Sequence, residues 1–256
     1  MTGSNPSRII ITNRDHELFA LLHQAKLLDR EQVQQLLPFG SVSRANDRLF
    51  RLHTACFLRR FFLGTIAGGR KGLYSLSPKS AAVIGVEKFW KLQRADDELL
   101  VGEAFVDHQL AVNWCWISMK RGPNPHFIRF VRFTKSITTS LPLIPDGYAE
   151  LGIPGDLQAL FLEVDLGNEP SRVWDRKVEL YLKLATSGEF QRIFHQQRFK
   201  IAVVCTSERR IENLRRTVRK QTTKLFYFSL LETTKRDGFA APHWLRPKGA
   251  ARESIA

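Results

Sequence analysis

The chain of 256 residues carries 39 Lys and Arg against 25 Asp and Glu, a formal charge of +14. With 43% hydrophobic and 11% aromatic residues it can build packed cores, which excludes a wholly disordered chain, and its charge surplus asks for a polyanionic partner. The three cysteines, Cys56, Cys115 and Cys205, lie far apart with no C-x-x-C spacing, which excludes a zinc knuckle or disulfide framework built from cysteine. No apolar run is long enough to span a membrane, and Met1 to Arg8 lacks the apolar stretch of a secretory signal. The expectation is a soluble, cytoplasmic protein without membrane association. Charge is unevenly spread: residues 1–94 hold 15 basic and 6 acidic side chains, residues 95–207 hold 12 and 14, and residues 208–256 hold 12 and 5. Nucleic acid is expected at the two basic ends.

In the head, Thr12 and Asp15 stand in capping-box positions before Leu18, Leu21, Leu22 and Ala25, whose spacing predicts a helix over about 13–26. Asp29 is placed to cap a short second helix ended by Pro38 and Gly40, and Ser41 to cap a third. In that third helix Val42, Ala45, Leu49 and Leu52 share one stripe, while Arg44, Arg48 and Arg51 share another. Two β-type runs follow, Phe57–Leu63 and Leu73–Leu76, separated by a basic turn with Gly68, Gly69, Arg70, Lys71 and Gly72. Three short helices and a hairpin spell a winged helix-turn-helix domain over residues 10–91. Ser43, Arg44, Arg48 and Arg51 are its candidate DNA contacts on the third helix, and Arg70 and Lys71 those on the wing. A solvated arginine face, or a protein-docking winged helix, is the alternative.

Residues 95–117 read as a helix with Asp96, Asp97 and Glu98 at its amino end. Strands are expected over about 127–133, 144–151 and 158–166, the last an apolar run suited to a strand buried on both faces. A helix over 171–186, a strand over Phe199–Thr206, a basic helix over 208–220 and a strand over Leu225–Leu230 complete an αβββαβ order with an αβ extension. The overall reading is α/β (α+β overall), with a second domain over 92–232 and a basic flexible tail over 233–256. Arg215 and Arg219 of the basic helix are candidate phosphate contacts. Trp114 and Trp116 read as core, and His108 as a core hydrogen-bonder or a neighbour of the site below.

Asp146 opens the second of these strands, and Glu163 and Asp165, two residues apart, leave one face of the third. Burying two carboxylates at the end of a central strand costs several kcal/mol unless a cation or hydrogen bonds offset it, roughly the penalty of an unpaired buried charge. Lys177 lies within the apolar arc of its helix with Val173, Leu180, Tyr181 and Leu184, so it is expected to point inward beside both carboxylates.

Pro145-Asp146 followed by Glu163-Val164-Asp165 in an αβββαβ order resembles the PD-(D/E)xK nuclease superfamily. With Thr12-Asn13-Arg14-Asp15, the segment around His108, and Lys177 followed by Tyr181, the order of motifs over roughly residues 10–230 is similar to the replication-relaxation family. The resemblance implies a restriction-endonuclease-like domain with a catalytic set of Asp146, Glu163, Asp165 and Lys177, and Mg²⁺ or Mn²⁺ held by Asp146, Glu163 and Asp165. Asp165 stands where the superfamily has its lysine, and Lys177 is the candidate replacement. The implied function is accessory: double-stranded DNA binding in replication or mobilisation of a plasmid or mobile element, with a relaxase, a replication initiator or another mobile-element protein as partner, and a possible homodimer. The alternatives are a metal-dependent DNA endonuclease and a winged-helix transcriptional repressor.

Overall fold

The computed structural model describes residues 9–64, 70–90, 94–95, 98–99, 102–121 and 126–256. The chain divides into two compact units, Met1–Asn113 and Trp114–Ala256. The domain boundary expected at 91/92 falls beside residues 91–93, which lie outside the described residues.

In the first unit α1 (Asn13–Ala25) starts at a capping box in which the Thr12 amide donates to Asp15 Oδ2 at 2.7 Å. Leu18, Leu21, Leu22 and Ala25 are buried, as their spacing predicts. After β1 (Leu28–Asp29), the Asp29 carboxylate accepts from the Gln32 amide at 2.8 Å and opens α2 (Arg30–Leu36). Ser41 Oγ caps α3 (Val42–Thr54), accepting from the Arg44 amide at 3.1 Å. The strands β2 (Leu58–Gly64) and β3 (Arg70–Leu76) pair antiparallel, and β1 joins β3 to give the sheet order β1-β3-β2. This is the element order expected of a winged helix; Gly68 and Gly69, expected in its turn, lie outside the described residues.

The helix expected from residue 95 begins later. After α4 (Pro78–Val83), residues β4 (Arg94–Ala95) and β5 (Glu98–Leu99) form a short ladder, and α5 runs from Glu103 to Lys120. The Gly102 carbonyl accepts from the Phe105 amide at 3.0 Å and opens that helix. Acidic residues near a helix start contribute only about 0.3–1 kcal/mol, too little to draw α5 back to Glu98. Its first turns pack Val106 and Leu110 against Leu27, Phe61, Leu63 and Leu73. Buried amides complete that packing, Gln32 Nε2 donating to the Leu110 carbonyl at 2.8 Å and Asn113 Nδ2 to that of Leu27 at 2.6 Å.

The second unit is a mixed α/β layer structure in the order β6 (His126–Val131), β7 (Gly147–Ile153), β8 (Asp156–Asp165), α6 (Ser171–Thr186), α7 (Glu189–Phe194), β9 (Phe199–Cys205), α8 (Glu208–Arg219), β10 (Phe226–Leu230), α9 (Leu231–Asp237), β11 (Trp244–Leu245) and β12 (Arg252–Glu253). Its seven-stranded sheet runs β12-β11-β10-β9-β8-β7-β6. The strands β6, β7 and β8 are antiparallel neighbours, and β8, β9 and β10 are parallel. Parallel neighbours need helical crossovers, which α6 with α7 and α8 supply. Ala159 to Asp165 of β8 are all buried, in keeping with the expected central strand.

One face of this sheet carries an aromatic core with Phe161 at its centre, 5.6 Å from Tyr181 and 5.1 Å from Phe199 between ring centroids. At the start of β7 a close approach demands glycine: a Cβ on Gly147 would meet the Phe130 ring at 2.3 Å. The expected flexible tail is instead structured. It supplies α9, β11 and β12, with Phe239, Trp244 and Ile255 almost fully buried. Pro and Gly punctuate turns there, while single large apolar side chains anchor the segment to the sheet edge.

Candidate functional site

Parallel pairing of β8 with β9 sets Glu163 opposite Val203 and Asp165 opposite Cys205, so both carboxylates reach the carboxyl ends of the parallel strands. On the helix-covered face, α6 buries Trp174, Val178 and Tyr181 and brings Lys177 to the same edge. Lys177 Nζ donates to Glu163 Oε2 at 2.9 Å and to Glu169 Oε1 and Oε2 at 3.0 and 2.8 Å. The phenol of Tyr181 donates to the other Glu163 oxygen at 2.5 Å. The expected inward lysine is thus found beside Glu163, with its side chain 20% exposed, but its second carboxylate is Glu169 and not Asp165.

Asp165 belongs to a separate constellation. Arg210, in the first turn of α8, grips it with two bonds, Nε to Oδ1 at 2.8 Å and Nη2 to Oδ2 at 2.7 Å. Trp174 Nε1 donates to Oδ2 at 2.6 Å and the Gly167 amide to Oδ1 at 2.7 Å. Burial works to raise the Asp165 pKa, but Arg210, Trp174 and Gly167 outweigh it and hold the carboxylate below its ordinary value.

Glu163 behaves in the opposite way. It is 1% exposed, and burial pushes its pKa up to about 7; Lys177 opposes that shift and the negative charge of Asp146 adds to it. Asp146 sits just ahead of β7, its amide donating to the Leu162 carbonyl at 3.1 Å and its Oδ2 accepting from the Val164 amide at 2.7 Å. Its charge supports that of Arg132, whose pKa burial lowers to about 10, and with burial raises the Cys115 thiol. Asp146, Glu163, Lys177, Glu169 and Tyr181 therefore form one electrostatic cluster, and Asp165 with Arg210 a neighbouring one joined to it through Glu169, whose carbonyl accepts from Arg210 Nη2.

The donor set does not fit a divalent cation. Both Glu163 oxygens and both Asp165 oxygens already accept from protein donors. Among the described residues no group of three or more His, Cys, Asp and Glu is gathered to hold a metal. The expected set of Asp146, Glu163 and Asp165 is thus split, because Arg210 supplies the positive charge that the resemblance assigned to a metal.

The expected DNA contacts divide likewise. Ser43, Arg44, Arg51, Arg70 and Arg219 are exposed. Arg48 is folded back: its Nε donates to Asp15 Oδ1 at 2.8 Å, its Nη2 to Asp15 Oδ2 and to the Ile10 carbonyl. Burial would raise the Asp15 pKa, and the bonds from Arg48 and Thr12 bring it below its usual value. Lys71 Nζ binds Asp29 at 2.8 Å, the carboxylate that caps α2. Arg215 donates to the carbonyls of Arg246, at 2.7 Å, and Gly249, tying down the carboxyl-terminal segment. Each of these three cations meets an acceptor within the fold that spacing along the sequence does not reveal.

Other side chains escaped the sequence reading. Asn46 and Phe50 are exposed on α3, with Phe50 at 55%. Their signal was the i, i+4 spacing opposite Ala45, Leu49 and Leu52. Glu169 had a weaker one, lying just before Pro170 at the amino end of α6. Arg132 had none. His108 lies half-buried on α5, and Trp114 and Trp116 are buried as expected.

No curated protein matches the chain. Among solved structures, that of the restriction endonuclease FokI is similar with a TM-score of 0.30 and 14% identity, over 86% of this chain and 42% of that one. The chain thus spans less than half of that protein's length, and the likeness is too slight to carry an argument about fold or activity. Residues 19–196 match the profile of the family described as replication-relaxation, most of both the α1–β3 region and the strands around Glu163. The protein belongs to the replication-relaxation family.

Proposed function

We propose that the protein binds double-stranded DNA as an accessory factor in the replication or mobilisation of a plasmid or mobile element. Family membership supports the replication role. The observation that carries the DNA reading is the outer face of α3: Ser43, Asn46, Phe50 and Arg51 are exposed, while Ala45, Leu49 and Leu52 fix the opposite face in the core. A helix held by its back leaves its front for the major groove, where Asn reads adenine, Arg reads guanine or phosphate, and an apolar ring meets thymine methyl groups. Arg44 at the amino end and Arg70 on the hairpin add phosphate contacts. The partner proposed for this role is a relaxase, a replication initiator or another mobile-element protein.

The test is duplex binding as a function of salt by the full chain and by an Arg44→Ala, Arg51→Ala double variant. The variant is expected to bind more weakly, with a log–log salt slope shallower by about one unit for each phosphate-binding cation removed. Equal slopes would remove α3 from the interface. A footprint confined to the operator upstream of its own gene would move the reading to a repressor.

A further inference from the structure

A cavity of about 1000 Å³ opens at the end of the sheet opposite Glu163. There β8 begins at Asp156, β9 at Phe199 and β10 at Phe226, and the cavity lies at these amino ends. Four cations line it, Arg198, Lys200, Lys224 and Arg246, against the single carboxylate of Asp156. Arg198 stands 3.8 Å from Asp156 and Arg246 is 3.6 Å from Glu253, both longer than a hydrogen bond. Among the described residues neither lysine has an ion-pair partner. Lys200 Nζ donates to the Ile255 carbonyl at 2.7 Å and lies 5.3 Å from the Tyr227 ring centroid, with the Arg246 guanidinium 4.3 Å from the same centroid. Burial lowers the Lys200 pKa, Glu253 opposes the shift, and Arg246 and Arg198 reinforce it.

Like charges collected around a buried ring are costly unless an anion joins them. Two residues that line the cavity have positive φ: His195, at 57°, as the left-handed cap that ends α7, and Leu225, at 67°. A leucine in the left-handed region is strained, and the Leu225 carbonyl is held there by the Ile201 amide at 2.8 Å. Gln196 and Gln197 contribute amides that can read polar edges.

We infer that this cavity binds a phosphorylated nucleotidic ligand, with Arg198, Lys200 and Lys224 taking its phosphates. Its volume is at the upper end of ligand pockets, roughly 300–1,000 Å³, which accommodates a whole nucleotide or the end of a single strand. The site lies in the second unit and does not depend on α3, so it stands or falls separately from duplex binding.

The experiment is fluorescence polarisation of the full chain at low salt with two probes, labelled ATP and a labelled short oligothymidylate. The cavity variant is Arg198→Glu with Lys224→Glu; both side chains are exposed, so an unchanged thermal midpoint certifies its fold. The control is Lys135→Glu with Arg209→Glu, exposed cations outside both the cavity and α3. Saturable binding of at least one probe is expected, unchanged in the control and weakened about tenfold for each cation replaced in the cavity variant. Binding of ATP assigns a free nucleotide, and binding of the oligothymidylate alone assigns a strand end. No saturable binding of either probe, or equal binding by wild type and cavity variant, would overturn the inference.

Discussion

Replacing Glu163 by glutamine should leave the protein close to wild-type stability in mild acid and make it relatively more stable in mild alkali. Glutamine copies the protonated carboxyl in shape and in its bond to Tyr181, and Lys177 keeps both oxygens of Glu169. In wild type the folded-state pKa is about 7 against an ordinary 4.5, because the side chain is buried and Asp146 is near. The sign follows from that direction. A carboxyl raised on folding contributes stability that is complete below its unfolded pKa and is lost as pH rises through its folded pKa. At 1.36 kcal/mol per unit, the interval from 4.5 to about 7 corresponds to about 3 kcal/mol. Lys177 adds no slope in this window, since its own pKa is raised and it stays charged in both states. Urea unfolding followed by tryptophan fluorescence at pH 5, 6, 7 and 8 would give the difference between variant and wild type. That difference is expected to move in favour of Glu163→Gln by about 3 kcal/mol across the series. A constant difference would mean an unshifted carboxyl, and a drift the other way would mean that Lys177, and not burial, governs Glu163.

Arg210→Met should leave Asp165 buried with only Trp174 and Gly167 as donors, and cost about 3–5 kcal/mol in urea unfolding, the range for a broken buried pair; a cost below about 1 kcal/mol would mark the pair as surface-like. Arg48→Ala should act on stability by stranding Asp15, lowering the thermal midpoint, whereas Arg51→Ala should leave the midpoint alone and weaken duplex binding. Mn²⁺ added to the full chain is expected to leave the thermal midpoint and a calorimetric baseline unchanged, since Glu163 and Asp165 are already engaged; a saturable heat abolished by Asp146→Ala would restore the metal site.

The sequence by itself determined the main helices and strands of both domains and their order, but not β1, the β4–β5 ladder, α7 or the elements of the carboxyl-terminal segment. Thr12 with Asp15, Asp29 and Ser41 announced three helix starts because caps are local chemistry, satisfied within a few residues. The apolar run before Asp165 announced an interior strand because burial on both faces leaves no polar alternation to see. The inward Lys177 was legible too, since helical periodicity fixes which face a side chain leaves. Tertiary structure alone decided the partners. Parallel pairing of β8 with β9 carries the first turn of α8 to Asp165, so Arg210, 45 residues away, takes the carboxylate that spacing offered to Lys177. The return of α3 against α1 gives Arg48 to Asp15, and the sheet edge gives Trp244 a place that the composition of the carboxyl-terminal segment does not foretell. Caps and periodicity act over one or two turns of chain, whereas an ion pair is chosen by distance in space, and that distance exists only once the sheet has closed.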